Sequence, residues 1–112
     1  MADCPVHHVA MLTKPTQYGP RHYCPVAGCD VMCWGGSTST PADKATRDAR
    51  IAAHVEFNRM AELIPKGAAY RWLAQEMGLD QKKCHIGMFN IDQCKQVVRL
   101  ILARTDLRTK LK

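Results

Sequence analysis

The spacing of apolar positions along this chain changes near residue 36. Before that point apolar residues fall in short runs broken by proline and glycine, which predicts strands and tight turns. Residues 9–13 read as one strand, 16–20 as a turn, 21–24 as a returning strand and 30–34 as a third. The Gly-Gly-Ser-Thr-Ser stretch at 35–39 reads as a flexible linker.

Beyond the linker the period becomes helical. Thr40 is the expected cap of a first helix, with Pro41 at its first position and Asp43 as an acidic variant of the capping-box partner. The helix should end near Ile64, because Pro65 cannot continue it. Ala45, Ala49, Ala52, Met60 and Leu63 form its expected apolar face. Asp43, Arg47, Arg50 and His54 form a polar stripe opposite. A second helix is predicted over 68–77, with Tyr70, Leu73, Ala74 and Met77 inward and Gly78 as C-terminal cap. Asn90 and Gln93 open a third, whose apolar stripe is Cys94, Val97, Val98, Ile101 and Leu102. The fold class is therefore α+β: a small ribbon of two to three antiparallel strands over 1–36, a three-helix domain over 40–104, and a basic, frayed tail over 105–112.

A segment as short as 1–36 rarely buries enough apolar surface to fold without a staple. Its cysteines and histidines suggest one. Cys4-Pro5-Val6-His7 places two donors two residues apart, and Cys24-Pro25-Val26-Ala27-Gly28-Cys29 supplies two more on a chain turned by proline and glycine. Zn2+ favours four such ligands in a tetrahedron, and two knuckles at the ends of a hairpin deliver them. Cys4, His7, Cys24 and Cys29 are the expected ligands of one structural Zn2+. His8 is an alternative to His7, and Cys33 to Cys29. A site closed by four protein ligands leaves no position for a reacting water, so no catalysis is expected there.

No apolar run approaches the roughly 20 residues that span a bilayer. The opening residues lack a signal-peptide pattern, which suggests a cytoplasmic protein with reduced thiols. Six cysteines then favour metal over disulfides. The net charge of +6 permits nucleic acid or an acidic protein as partner.

The order of motifs adds a resemblance. A Cys/His knuckle, Tyr18-Gly19 and a second knuckle precede Thr46-Arg47-x-x-Arg50 and Ala53-His54-x-x-Phe57. Then come Ala69-Tyr70-Arg71-Trp72-Leu73-Ala74, Gly78, Cys84-His85-Ile86-Gly87-Met88-Phe89, and Cys94. From Cys4 to about Val98 this resembles an uncharacterised zinc-finger-containing domain family of bacteria and their phages. The N-terminal part also resembles the ribbon repeats of bacterial type I topoisomerases, which bind single-stranded DNA. His7 stands where the family usually has cysteine, and its second knuckle is usually tighter than Cys24-x4-Cys29. The resemblance implies a zinc-stabilised fold and, for a phage-encoded chain, a place in the bacterial host's cytoplasm.

Two surfaces suit nucleic acid, single- or double-stranded. One is the helical stripe of Arg47, Arg50 and His54, with Lys44 nearby. The other is the ribbon's mix of Lys14, Tyr18, Arg21, His22, Tyr23 and Trp34. Cations pair with phosphates and flat rings stack on bases. An alternative is a module that binds or inhibits a host protein. Asp43, Asp48, Asp80, Asp92 and Asp106 form no cluster of the kind a Mg2+-dependent nuclease needs, so the chain is not expected to be an enzyme. Cys84, His85 and Cys94 lack a fourth ligand; Cys84-His85 is expected to open a tight loop around Gly87, with His85 bonded to backbone or packed between helices, and Cys94 to lie in the core.

Overall fold

A computed structural model of the chain describes residues 3–36, 39–65 and 67–104. It divides into two compact units, Met1–Arg47 and Asp48–Lys112. The predicted tail, 105–112, lies outside the described residues.

The first unit is built on a three-stranded antiparallel sheet in the order β1 (Leu12–Thr16), β2 (Gly19–Tyr23), β3 (Met32–Trp34). β1 starts three residues later than its sequence suggests. Residues 4–9 close a knuckle instead: the Cys4 N–H donates to the Val9 carbonyl at 2.9 Å, and His8 N–H to the Cys4 carbonyl at 2.8 Å. That loop leaves Val9 at its neck and His8 in the left-handed region at φ 57°. Gln17 and Tyr18 make the turn, and the Thr16 hydroxyl donates to the Gly19 carbonyl at 2.7 Å. After β3, Gly35 N–H donates to the Pro20 carbonyl at 3.0 Å. A Cβ at Gly35 would lie 2.8 Å from Pro20 Cγ, so this close approach needs glycine.

Residues 40–42 do not open the helix. Ala42 exchanges two backbone bonds of 2.9 Å with Met32 and extends the ladder at β3. The helix α1 (Lys44–Ala61) therefore starts later, and Asp43 caps it in place of Thr40. Its carboxylate accepts from Thr46 N–H at 2.9 Å, and its carbonyl from Arg47 N–H at 2.9 Å. Ladder pairing of Ala42 outcompetes the local start signal at Pro41.

In the second unit the remainder of α1 is followed by α2 (Ala68–Met77) and α3 (Ile91–Leu102), with two short 3-10 turns at Gln81–Lys83 and Ile86–Met88. Gly78 caps α2 with φ 67°, and Leu79 N–H closes a 2.9 Å bond to the Ala74 carbonyl. Asn90 and Gln93 form a reciprocal capping box at α3, with bonds of 2.8 and 3.0 Å. The core gathers Phe57, Leu73, Ile86, Phe89, Val97 and Ile101. Cys84 and Cys94 are buried in it, and burial pushes both thiols up. His85 packs at 5.8 Å from the Tyr70 ring, which itself lies 4.3 Å from Phe57.

The buried face of α1 is Arg50, Ala53, Phe57 and Met60, about a quarter-turn from the alanine face the sequence suggests. One large ring, Phe57, outweighs three small methyls in choosing which side goes inward. Arg50 rides with that face. It is only 9% exposed, and its Nε donates to the Phe89 carbonyl at 2.7 Å.

Candidate metal centre

Two knuckles of like construction bring four donors together. Each starts Cys-Pro-Val. In each, the first cysteine's N–H reaches back to a valine carbonyl at the neck: Cys4 to Val9 at 2.9 Å, Cys24 to Val31 at 3.1 Å. The second adds a Cys29 N–H bond to the Val26 carbonyl at 3.1 Å, turned by Gly28 at φ 81°. Bonds of this kind fix each loop and aim its side chains inward. Proline supplies rigidity after each cysteine, and the Pro-Val tips stay exposed.

Cys4, His7, Cys24 and Cys29 offer ligand atoms that all lie within 4.8 Å of one another. Cys4 Sγ is 3.8 Å from Cys29 Sγ. His7 Nδ1 is 3.7 Å from Cys4 Sγ and 3.6 Å from Cys24 Sγ. A tetrahedral zinc with bonds of about 2.3 Å to sulfur and about 2.0 Å to nitrogen has edges of about 3.8 Å between sulfurs and about 3.5 Å from sulfur to nitrogen. The observed edges match those lengths, so donor set and geometry both fit zinc. His8 and Cys33 lie outside the group: His8 is exposed in its left-handed turn, and Cys33 is buried on β3 opposite His22.

The electrostatics divide the thiols. Burial pushes Cys4 up, but N–H groups of His7 and Val6 and the side chains of His7 and Cys24 outweigh it, drawing Cys4 down to about 6. Burial, with hydrogen bonding to Cys29 and Cys4, pushes Cys24 up to about 11, against a Val26 N–H that lowers it. Cys4 is thus more ready than Cys24 to hold a thiolate, the form that binds metal.

The basic residues separate into two groups. Lys14, Arg21 and Trp34 are cross-strand partners, as are Leu12, Tyr23 and Met32, and both sets share one sheet face. On it Lys14 Nζ stands 5.5 Å from the Tyr23 ring centre, and the Arg21 guanidinium 4.3 Å from that of Trp34. Tyr18, 77% exposed, meets Trp34 edge-on at 6.4 Å. His22 points to the opposite face, where its Nδ1 is 2.7 Å from the Thr13 hydroxyl.

The helical stripe does not form a free basic surface. Arg50 is buried. Arg47 donates through Nη1 to the carbonyls of Asp30 and Ala42, the latter at 2.7 Å. His54 Nδ1 lies 3.0 Å from the Arg50 carbonyl, and Lys44 is exposed with its N–H 3.2 Å from the Asp30 carboxylate. Desolvation, then repulsion from Arg47, pulls the Arg21 pKa down, so two positive charges of the ribbon unit feel each other. The pairing of the two knuckles was apparent from residue order, whereas Arg47 as a tie within the ribbon unit was not.

Residues 10–104 match a family described as a zinc-finger-containing domain. That span contains Cys24 and Cys29 and begins after Cys4 and His7, so the first pair of donors rests on this chain's own geometry. No curated protein and no solved structure matches the chain. Among the described residues, no helix is long and apolar enough to cross a membrane.

Proposed function

The chain belongs to the zinc-finger-containing domain family, and from that premise we propose that it is a non-enzymatic zinc protein whose ribbon binds nucleic acid. Cys4, His7, Cys24 and Cys29 hold one Zn2+, which supplies four strong bonds that tie the two knuckles to the sheet. The metal's role is structural, since the four donors fill its coordination.

The binding surface is the sheet face that carries Lys14, Tyr18, Arg21, Tyr23 and Trp34. The observation behind this reading is the pairing of cations with rings there, Arg21 on Trp34 and Lys14 near Tyr23. Cations of this kind meet phosphates, while exposed rings and a flat guanidinium offer platforms to unpaired bases. Such a surface favours single strands, because duplex bases already stack on each other. Arg47 adds positive field near Arg21, and a phosphate would relieve their repulsion. Arg50 has no part in the contact.

The test is fluorescence anisotropy of the zinc-loaded chain with single-stranded and duplex oligonucleotides of one sequence, across a salt series. Single strands should bind more tightly. Each phosphate contact contributes about −0.7 to the slope of log K against log salt, so Arg21→Ala should flatten it by roughly that amount. Trp34→Ala should cost about 1–3 kcal/mol with the slope unchanged. No binding to any nucleic acid, or binding indifferent to both substitutions, would refute this reading.

A further inference from the structure

α1 and α3 leave a groove between them on the surface of the second unit. Ala49 and Ala52 line it from α1, and Cys94, Lys95, Val98 and Arg99 from α3, around a volume of about 430 Å3. The two alanines lie about 60° apart around their helix, so both belong to one wall. On α3, Leu102 stands one turn past Val98 and is 50% exposed, so the apolar floor continues beyond the groove. Lys95, Val98, Arg99 and Leu102 follow the i, i+3, i+4, i+7 spacing of a single helix face.

The charged groups bordering this floor on α3 have one sign. Lys95 and Arg99 are exposed one turn apart, and among the described residues neither enters an ion pair. Glu56, one turn beyond Ala52 on α1, has Arg59 as its partner at 3.5 Å.

An apolar floor with a cationic border fits a narrow class of occupant. Both walls are helices whose backbone bonds are made internally, so no sheet edge is offered to an extended strand. A helix can lie in the trough instead, its ridge in the groove. From Cys94 to Leu102 the floor runs about 12 Å, or two turns, which suits apolar residues at i, i+3 or i+4, and i+7 of a docked helix. Lys95 and Arg99 then meet its flanking side chains, and complementarity requires those to be acidic. A second copy is disfavoured, because a chain of net charge +6 meets itself with like charge.

We infer that the α1–α3 groove docks an acidic, amphipathic helix of a partner protein, with Ala49, Ala52, Val98 and Leu102 as its apolar floor and Lys95 and Arg99 as its charged border. The inference is independent of nucleic-acid binding, since none of these residues lies on the ribbon.

The probe is a designed helical peptide with leucine at i, i+4 and i+7 flanked by glutamates, together with a twin that has lysine in place of every glutamate. Each is titrated into the full zinc-loaded chain and followed by its amide resonances. The glutamate peptide should bind at least about ten-fold more tightly than its twin, with shifts concentrated at Ala49, Ala52, Val98 and Leu102. Ala52→Gln, an exposed change between good helix formers that leaves thermal unfolding unaltered, should weaken the glutamate peptide several-fold. Lys95→Glu with Arg99→Glu should invert the preference, so that the lysine twin binds more tightly. No binding of the glutamate peptide, equal affinity for the twins, or shifts confined to another face would overturn the inference. So would a single-stranded oligonucleotide that moves the same amides as strongly, or movement of those amides with the concentration of the free chain, which would make the occupant a second copy.

Discussion

The apolar cluster of the ribbon unit consists of Cys4, Met11, Cys24, Val31 and Cys33, whereas that of the helical unit includes Phe57, Leu73, Ile86, Phe89, Val97 and Ile101. Two of the five ribbon residues belong to the candidate metal-donor group, and none is aromatic. The helical unit closes on rings and branched aliphatics, each contributing roughly 1.5–3 kcal/mol when fully buried. The difference teaches what a short segment needs. With so little carbon to hide, the ribbon as we propose it depends on the few strong, directional bonds of its zinc. The helical unit spreads its stability over many weak contacts.

That contrast can be broken most severely at a donor. Cys24→Ala should unfold the ribbon unit and leave the helical unit's circular dichroism signal in place. The expected loss is large, since structural zinc in small fingers is worth on the order of 10 kcal/mol. A folded ribbon in that variant, seen as dispersed amide resonances for residues 12–23, would contradict it. A smaller effect is expected at Arg50. Arg50→Ala removes a charge-assisted bond to the Phe89 carbonyl and leaves that oxygen buried, which should cost roughly 2 kcal/mol. Urea unfolding of the helical unit measures it. Weaker again is Asn90→Ala, which opens the capping box of α3 and should cost about 1 kcal/mol in the same assay, with the metal site untouched.

Much of this architecture was legible wherever a local signal had no rival. The α2 span, the Gly78 cap and the Asn90–Gln93 box stand as residue order suggests, because capping chemistry acts within a few residues. The four donors were legible from knuckle spacing, and the structure adds the distances. What could not be read depends on partners far along the chain. Thr40 and Pro41 look like a helix start, but Ala42 pairs with Met32 ten residues earlier. Arg50 looks like a surface cation on a helical wheel, yet it is drawn inward by a carbonyl thirty-nine residues away. The alanine row looks like a core face, but Phe57 takes that role. The same contingency redistributes the proposed binding surface. Lys14, Arg21 and Tyr23 share a sheet face, His22 turns from it, and Arg47 is tied to backbone carbonyls.

The proposed dependence of the ribbon on a zinc ion is tested most directly by amide hydrogen exchange of the β1–β2 ladder, on protein purified without added metal and with its zinc counted by native mass spectrometry. One zinc per chain is predicted, with slow exchange at Leu12–Thr16 and Gly19–Tyr23 that becomes fast when a chelator strips the ion while α3 stays protected. A ladder that stays slow with no metal bound would contradict it.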